Sequence, residues 1–97
     1  MDKIRLVEQI DDRGHLSIDI TLEDDGSIIV FFYDVGTAAQ ETFGRDDYEK
    51  WMKIPADVTG RLAFKLLSER FAGSIHALSE IEKYCQESGI SPEVGGW

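Results

Sequence analysis

The sequence predicts an α+β domain: an antiparallel four-stranded sheet, wound as a meander, followed by two C-terminal helices packed on one face. Three observations predict it. Apolar and polar residues alternate strictly from Leu16 to Leu22, the period of a strand with one dry face and one wet one. Asp24-Asp25-Gly26 then leads into the apolar run Ile28–Tyr33, which completes a hairpin. Beyond Pro55, apolar residues recur at helical spacing.

Each element has its own signal. A first strand is expected to carry Ile4, Leu6 and Glu8 on one face and Val7 on the other, and Asp11-Asp12-Arg13-Gly14 ends it with turn chemistry. In the second strand Leu16, Ile18, Ile20 and Leu22 are expected to face the core, and Ser17, Asp19 and Thr21 to face water. Gly26 is free to take a positive φ in the turn that follows. The third strand, Ile28–Tyr33, is apolar on both faces, as a central strand is, and Asp34-Val35-Gly36 ends it. Thr37 to Phe43 is ambiguous, with Thr37 a candidate cap for a short helical turn over Ala38, Ala39 and Gln40. Gly44-Arg45-Asp46-Asp47 breaks the chain again before a fourth strand, Tyr48–Ile54, which Pro55 stops.

Asp57 is expected to cap the first of the two helices, where Val58, Leu62, Leu66 and Ala63, Leu67, Phe71 fall at helical spacing. Gly60 weakens its first turn by up to about 1 kcal/mol relative to Ala. Ser74 is the expected cap of the second helix. There Ile75, Leu78, Ile81 or Glu82, and Cys85 form the inner stripe, while His76, Glu80, Lys83 and Glu87 face water. Gly89 closes that helix. The tail from Ile90 to Trp97 has no periodicity, and Trp97 is expected to cover a core edge.

A chain of 97 residues has room for one domain, residues 1–97, with one core. Nineteen Asp and Glu against ten Lys and Arg give a net charge of −9. That charge argues against nucleic acid and anionic membrane surfaces, which are bound through Lys and Arg. It favours a basic protein partner, which it would steer inward. One cysteine, Cys85, permits no internal disulfide, and Met1-Asp2-Lys3-Ile4-Arg5 lacks the form of a secretory signal. A cytoplasmic location is therefore expected.

Chemistry-bearing constellations are sparse. His15 and His76 sit near no acid or cysteine at catalytic or metal spacing, and Cys85 falls on an apolar stripe where a thiol is inert. No glycine spacing cradles a phosphate. Glu23-Asp24-Asp25-Gly26 lacks the alternating ligands of a calcium loop. Neither an enzyme mechanism, a cofactor nor a metal is expected. One constellation remains: Asp34, Glu41, Asp46, Asp47 and Glu49, interleaved with Phe43, Tyr48 and Trp51. Carboxylates beside exposed aromatic rings suit an Arg- and Lys-rich protein surface. A solvated sheet edge accounts for the same acids.

From Ile29 to Trp97 the chain resembles a family of small acidic bacterial proteins. The resemblance rests on Asp34-Val35-Gly36 at a strand end, Gly44-Arg45-Asp46-Asp47-Tyr48-Glu49-Lys50-Trp51, Gly89-Ile90-Ser91-Pro92 and a terminal Trp97. Proteins that look like this occur among the immunity proteins of contact-dependent growth inhibition and related polymorphic toxin systems. The resemblance implies binding and neutralisation of a cognate toxin domain, often a nuclease. Asp34, Glu41, Asp46, Asp47 and Glu49 would cover its basic cleft, with Tyr48 and Trp51 as anchors. The alternative role is a structural or regulatory module that self-associates through its sheet edge or a helix face.

Overall fold

The alternation from Leu16 to Leu22 does fold as a strand, and the sheet is built outward from it. The computed structural model describes residues 1–45 and 47–96. Strands β1 (Asp2–Asp11), β2 (Gly14–Leu22), β3 (Ile28–Gly36) and β4 (Asp47–Ile54) pair antiparallel in chain order. A short helix, α1 (Thr37–Phe43), connects β3 to β4, and a 3-10 turn at Ala56–Val58 precedes α2 (Thr59–Phe71) and α3 (Ala77–Glu87). The architecture is α+β, an open antiparallel meander followed by helices. The chain divides into two compact units, Met1–Leu62 and Ala63–Trp97.

Within Met1–Leu62, β2 and β3 pair without interruption from Leu22 opposite Ile28 to Gly14 opposite Gly36. The connecting loop is tied by its own side chains. Asp25 Oδ1 accepts from the Ser27 amide at 2.9 Å and the Ser27 hydroxyl at 2.6 Å, and Gly26 takes φ 91°. At the far end of the ladder two glycines meet. Gly14 has φ 148° and Gly36 φ 120°, and a Cβ on Gly36 would lie 2.5 Å from the Arg13 carbonyl oxygen and 2.6 Å from Gly14 Cα. Only glycine allows this approach at this backbone conformation. Thr37 does not cap α1: Gly36 holds the cap position. The Thr37 hydroxyl instead donates to the Arg13 carbonyl at 3.0 Å, tying the start of α1 to the β1–β2 turn. β3 also runs on through Asp34-Val35-Gly36, where the sequence suggested an end.

Successive residues of a strand face opposite sides, so the register sorts the side chains. One face carries Leu16, Ile18, Ile20 and Leu22 of β2, Ile28, Val30 and Phe32 of β3, and Met52 and Ile54 of β4. β1 departs from expectation. A bulge between Arg5 and Val7 places Ile4 opposite Ile20 and Val7 opposite Ile18, so Ile4 and Val7 share the apolar face while Glu8 lies on the other. An extra residue in one strand shifts the phase of everything beyond it. α1 packs on the apolar face through Phe43, and Ala39 is fully buried.

The opposite face is not the wet one that β2 alone suggests. Ser17 and Asp19 are each only 6% exposed, less than the apolar residues between and beside them. The reason is cross-strand. Arg5 lies opposite Asp19 and its guanidinium hydrogen-bonds both the Asp19 and the Glu8 carboxylates, while Lys3 Nζ approaches Asp19 at 3.6 Å. Phe31 and Tyr33 flank Asp19 and Ser17 from the β3 side. The Arg5 hydrogen bond, reinforced by the Arg5 and Lys3 charges, holds the Asp19 carboxyl below its usual 3.8. The Ser27 hydroxyl and amide lower Asp25 in the same way.

Both α2 and α3 begin later than their sequence signals. Asp57 falls inside the 3-10 turn, where the Thr59 hydroxyl donates to the Ala56 carbonyl at 2.9 Å. Ser74 precedes α3 by a turn. Its hydroxyl oxygen accepts from the His76 amide at 3.2 Å and donates to Glu80 at 3.2 Å, and His76 holds the cap position. Ile75 therefore lies outside α3, 93% exposed, and of the expected stripe Ile81, its alternative Glu82, and Cys85 are partly buried, with Leu78 83% exposed. Gly89 does close α3: at φ 73° it donates to Gln86 at 3.2 Å while Ile90 donates to Cys85 at 2.8 Å, the paired bonds of a Schellman motif. Leu66, Leu67, Phe71, Ile81, Tyr84 and Cys85 line an open apolar groove of about 390 Å³ between α2 and α3. Trp97, expected to cover a core edge, lies outside the described residues.

Gly36→Ala should lower stability by about 2–3 kcal/mol, because the new methyl group meets backbone in a conformation costly to any L-residue. Thermal unfolding measures it, and an unchanged midpoint would discount the close approach. Both depressed carboxylates stabilise the fold fully above about pH 4, and that contribution is lost as pH falls through their folded-state values. Asp19→Asn should therefore flatten the acid limb of a stability–pH curve. Parallel acid limbs in the two proteins would show that Asp19 is not linked to folding.

Candidate functional site

Of the seven carboxylates and rings singled out by sequence, five lie on β3 and β4, and the strand pleat divides them. Asp34 and Tyr48 oppose each other across β3 and β4 on the apolar face. Asp47, Glu49 and Trp51 alternate along β4 on the opposite face. Asp46 lies outside the described residues.

On the apolar side the residues are committed to structure. Asp34 is 7% exposed and lines a cleft of about 70 Å³ with Gln9, Asp11, Gly14, His15 and Leu16. Tyr48 stacks on Phe43 with ring centroids 3.9 Å apart and planes 8° off parallel, and meets Phe32 edge-on at 5.9 Å. Phe43 and Phe32 close the triangle at 6.4 Å. Tyr48 thus fastens α1 to the sheet. Glu41, on α1, is exposed and ion-paired with Arg13 of the β1–β2 turn.

Along β4 the other face is open. Asp47 and Glu49 are exposed, and Trp51 is 64% exposed. Asp47 has Arg45 at 3.5 Å, a distance at which an exposed pair is weak and readily exchanged. Behind this row, β3 places Phe31 opposite Trp51 and Tyr33 opposite Glu49. Lys53 ends the row, opposite Ile29. The result is an aromatic strip, Phe31, Tyr33 and Trp51, bordered by two exposed carboxylates. Such a strip offers ring area that can be buried and carboxylates that can accept hydrogen bonds from Arg or Lys.

Phe31 and Tyr33 were not singled out by sequence. They sit in an apolar run with no local mark, and only the β3–β4 register places them beside Trp51. Among the described residues no group of three His, Cys, Asp or Glu side chains converges as metal ligands. His15 Nε2 is buried without a hydrogen-bond partner among those residues. Among the described residues no helix is long and apolar enough to cross a membrane. Comparison with known proteins gives no matching family model, no matching curated protein and no matching solved structure.

The two aromatic residues of β4 should separate cleanly on mutation. Tyr48→Ala should cost about 2 kcal/mol through lost stacking and packing, whereas Trp51→Ala should stay within about 0.5 kcal/mol, as for other exposed positions. Equal losses in chemical denaturation would contradict the division of roles.

Proposed function

We propose that this chain is a protein-binding inhibitor of the immunity type, which neutralises a cognate toxin domain by covering its basic active-site surface. The observation that supports this reading most directly is the row Asp47, Glu49 and Trp51 on one exposed face of β4, backed by Tyr33 and Phe31. A nuclease cleft holds Arg and Lys to grip phosphate, and carboxylates compete for those same side chains. The net charge of −9 would draw such a partner in from a distance. Trp51 and the rings behind it would slow its release, because buried aromatic area acts on dissociation more than on encounter. The function is occlusion, with no chemistry performed by this chain. Asp34, Tyr48 and Glu41 would support the surface from behind, through the packing of β3, β4 and α1, and Asp46, the residue before Asp47 in sequence, adds to the acidic total. The seat of action is then the bacterial cytoplasm, where a producing cell must be protected.

The test pairs this chain with a toxin domain encoded beside its gene. Co-expression should restore growth, and the two purified proteins should bind. Asp47→Lys should lower the association rate roughly tenfold at low salt, and Trp51→Ala should raise the dissociation rate by a comparable factor. A gene with no toxin beside it, or full protection by both variants, would defeat the proposal.

A further inference from the structure

We propose that β4 is a self-pairing edge: two copies of this chain join β4 to β4 antiparallel, about a two-fold axis normal to the sheet, as one continuous eight-stranded sheet. An open four-stranded sheet has two edges, each presenting a row of unpaired backbone N–H and C=O groups. The two edges differ. β1 is bulged at Leu6, which interrupts that row, and it carries three acids against two bases. β4 pairs with β3 without irregularity along its length and carries two acids and two bases. In a chain with net charge −9, β4 is an edge that a second copy can approach without local repulsion.

The register follows from the sequence of β4. A two-fold axis normal to the sheet keeps each face continuous, so opposed residues must come from the same face. With Trp51 on the axis, Glu49 of each copy opposes Lys53 of the other, Tyr48 opposes Ile54, and Lys50 opposes Met52. Both acid–base pairs form, and the two Trp51 rings meet at the centre. The pairing ends at Ile54, just before Pro55, which has no N–H to donate. Shifting one way puts Lys50 on the axis against its own copy, like charge on like. Shifting the other way puts Met52 on the axis and sets Glu49 against Pro55. The pairing uses the backbone edge of β4, so it does not rest on the toxin-binding reading, although Glu49 and Trp51 take part in both.

Sedimentation of the full chain across a concentration range should show a species of twice 10.9 kDa that dissociates on dilution. Trp51→Cys in a Cys85→Ser background should oxidise to a disulfide-linked dimer, because directly opposed Cα atoms lie about 4.5–5.5 Å apart, within disulfide reach. Lys50→Cys in the same background should not. Glu49→Lys should weaken association roughly tenfold or more by setting lysine against Lys53, and Glu49→Lys with Lys53→Glu should restore it, with circular dichroism establishing that each variant folds. A monomer at all concentrations up to about 1 mM, where even weak association registers, overturns the pairing. So does cross-linking through Lys50→Cys in place of Trp51→Cys, or a folded charge-swap variant that stays dissociated.

Discussion

The uninterrupted ladder between β2 and β3 is the constraint on which the rest of Met1–Leu62 depends. It runs from the Asp25–Ser27 turn at one end to the Gly14–Gly36 contact at the other, and both ends are closed by features that admit few substitutes. β1 and β4 then attach to its two sides. The glycine contact also fixes where α1 begins, since Thr37 follows Gly36 directly and bonds back to Arg13. The position of α1 sets Phe43 against Tyr48, and the β3–β4 register carries Trp51 to the other face. A chain of backbone decisions thus precedes every side-chain arrangement in the candidate site.

This explains which parts of the molecule were legible in sequence. The alternation in β2 and the Asp-Asp-Gly turn are local, so they could be read directly, and the α+β class followed. The bulge at Leu6 has no local mark: Ile4, Leu6 and Val7 are all apolar, and which of them faces the core depends on the partner strand. The burial of Ser17 and Asp19 was hidden for the same reason, since what covers them comes from β1 and β3. Helix starts slipped because Asp57 and Ser74 bear capping side chains but lie in the turns before the helices. In the candidate site, proximity in sequence joined residues that the pleat separates, Tyr48 and Asp47 above all.

The distribution of charge sharpens the meaning of the acidic surplus. Some carboxylates are internal partners: Asp19 with Arg5 and Lys3, Asp25 with Ser27, Glu41 with Arg13. These stabilise turns and the covered face, and they lend little to a visiting surface because their hydrogen-bonding capacity is already engaged. Asp47 and Glu49 remain more available. A net charge of −9 therefore coexists with a proposed contact surface of few acids and several rings, which suits attraction by charge and retention by area.

The bulge at Leu6 has a consequence for how the chain can change length. On either side of it, Asp2–Arg5 and Val7–Asp11 each hold their own partners on β2, in opposite phase. Most single-residue deletions in a strand turn half of its side chains to the wrong face. Loss of Leu6 would leave both halves paired as they are and merely straighten β1. The strand thus has one point at which a residue can be lost over descent without disturbing the faces of the sheet, and Leu6 marks it.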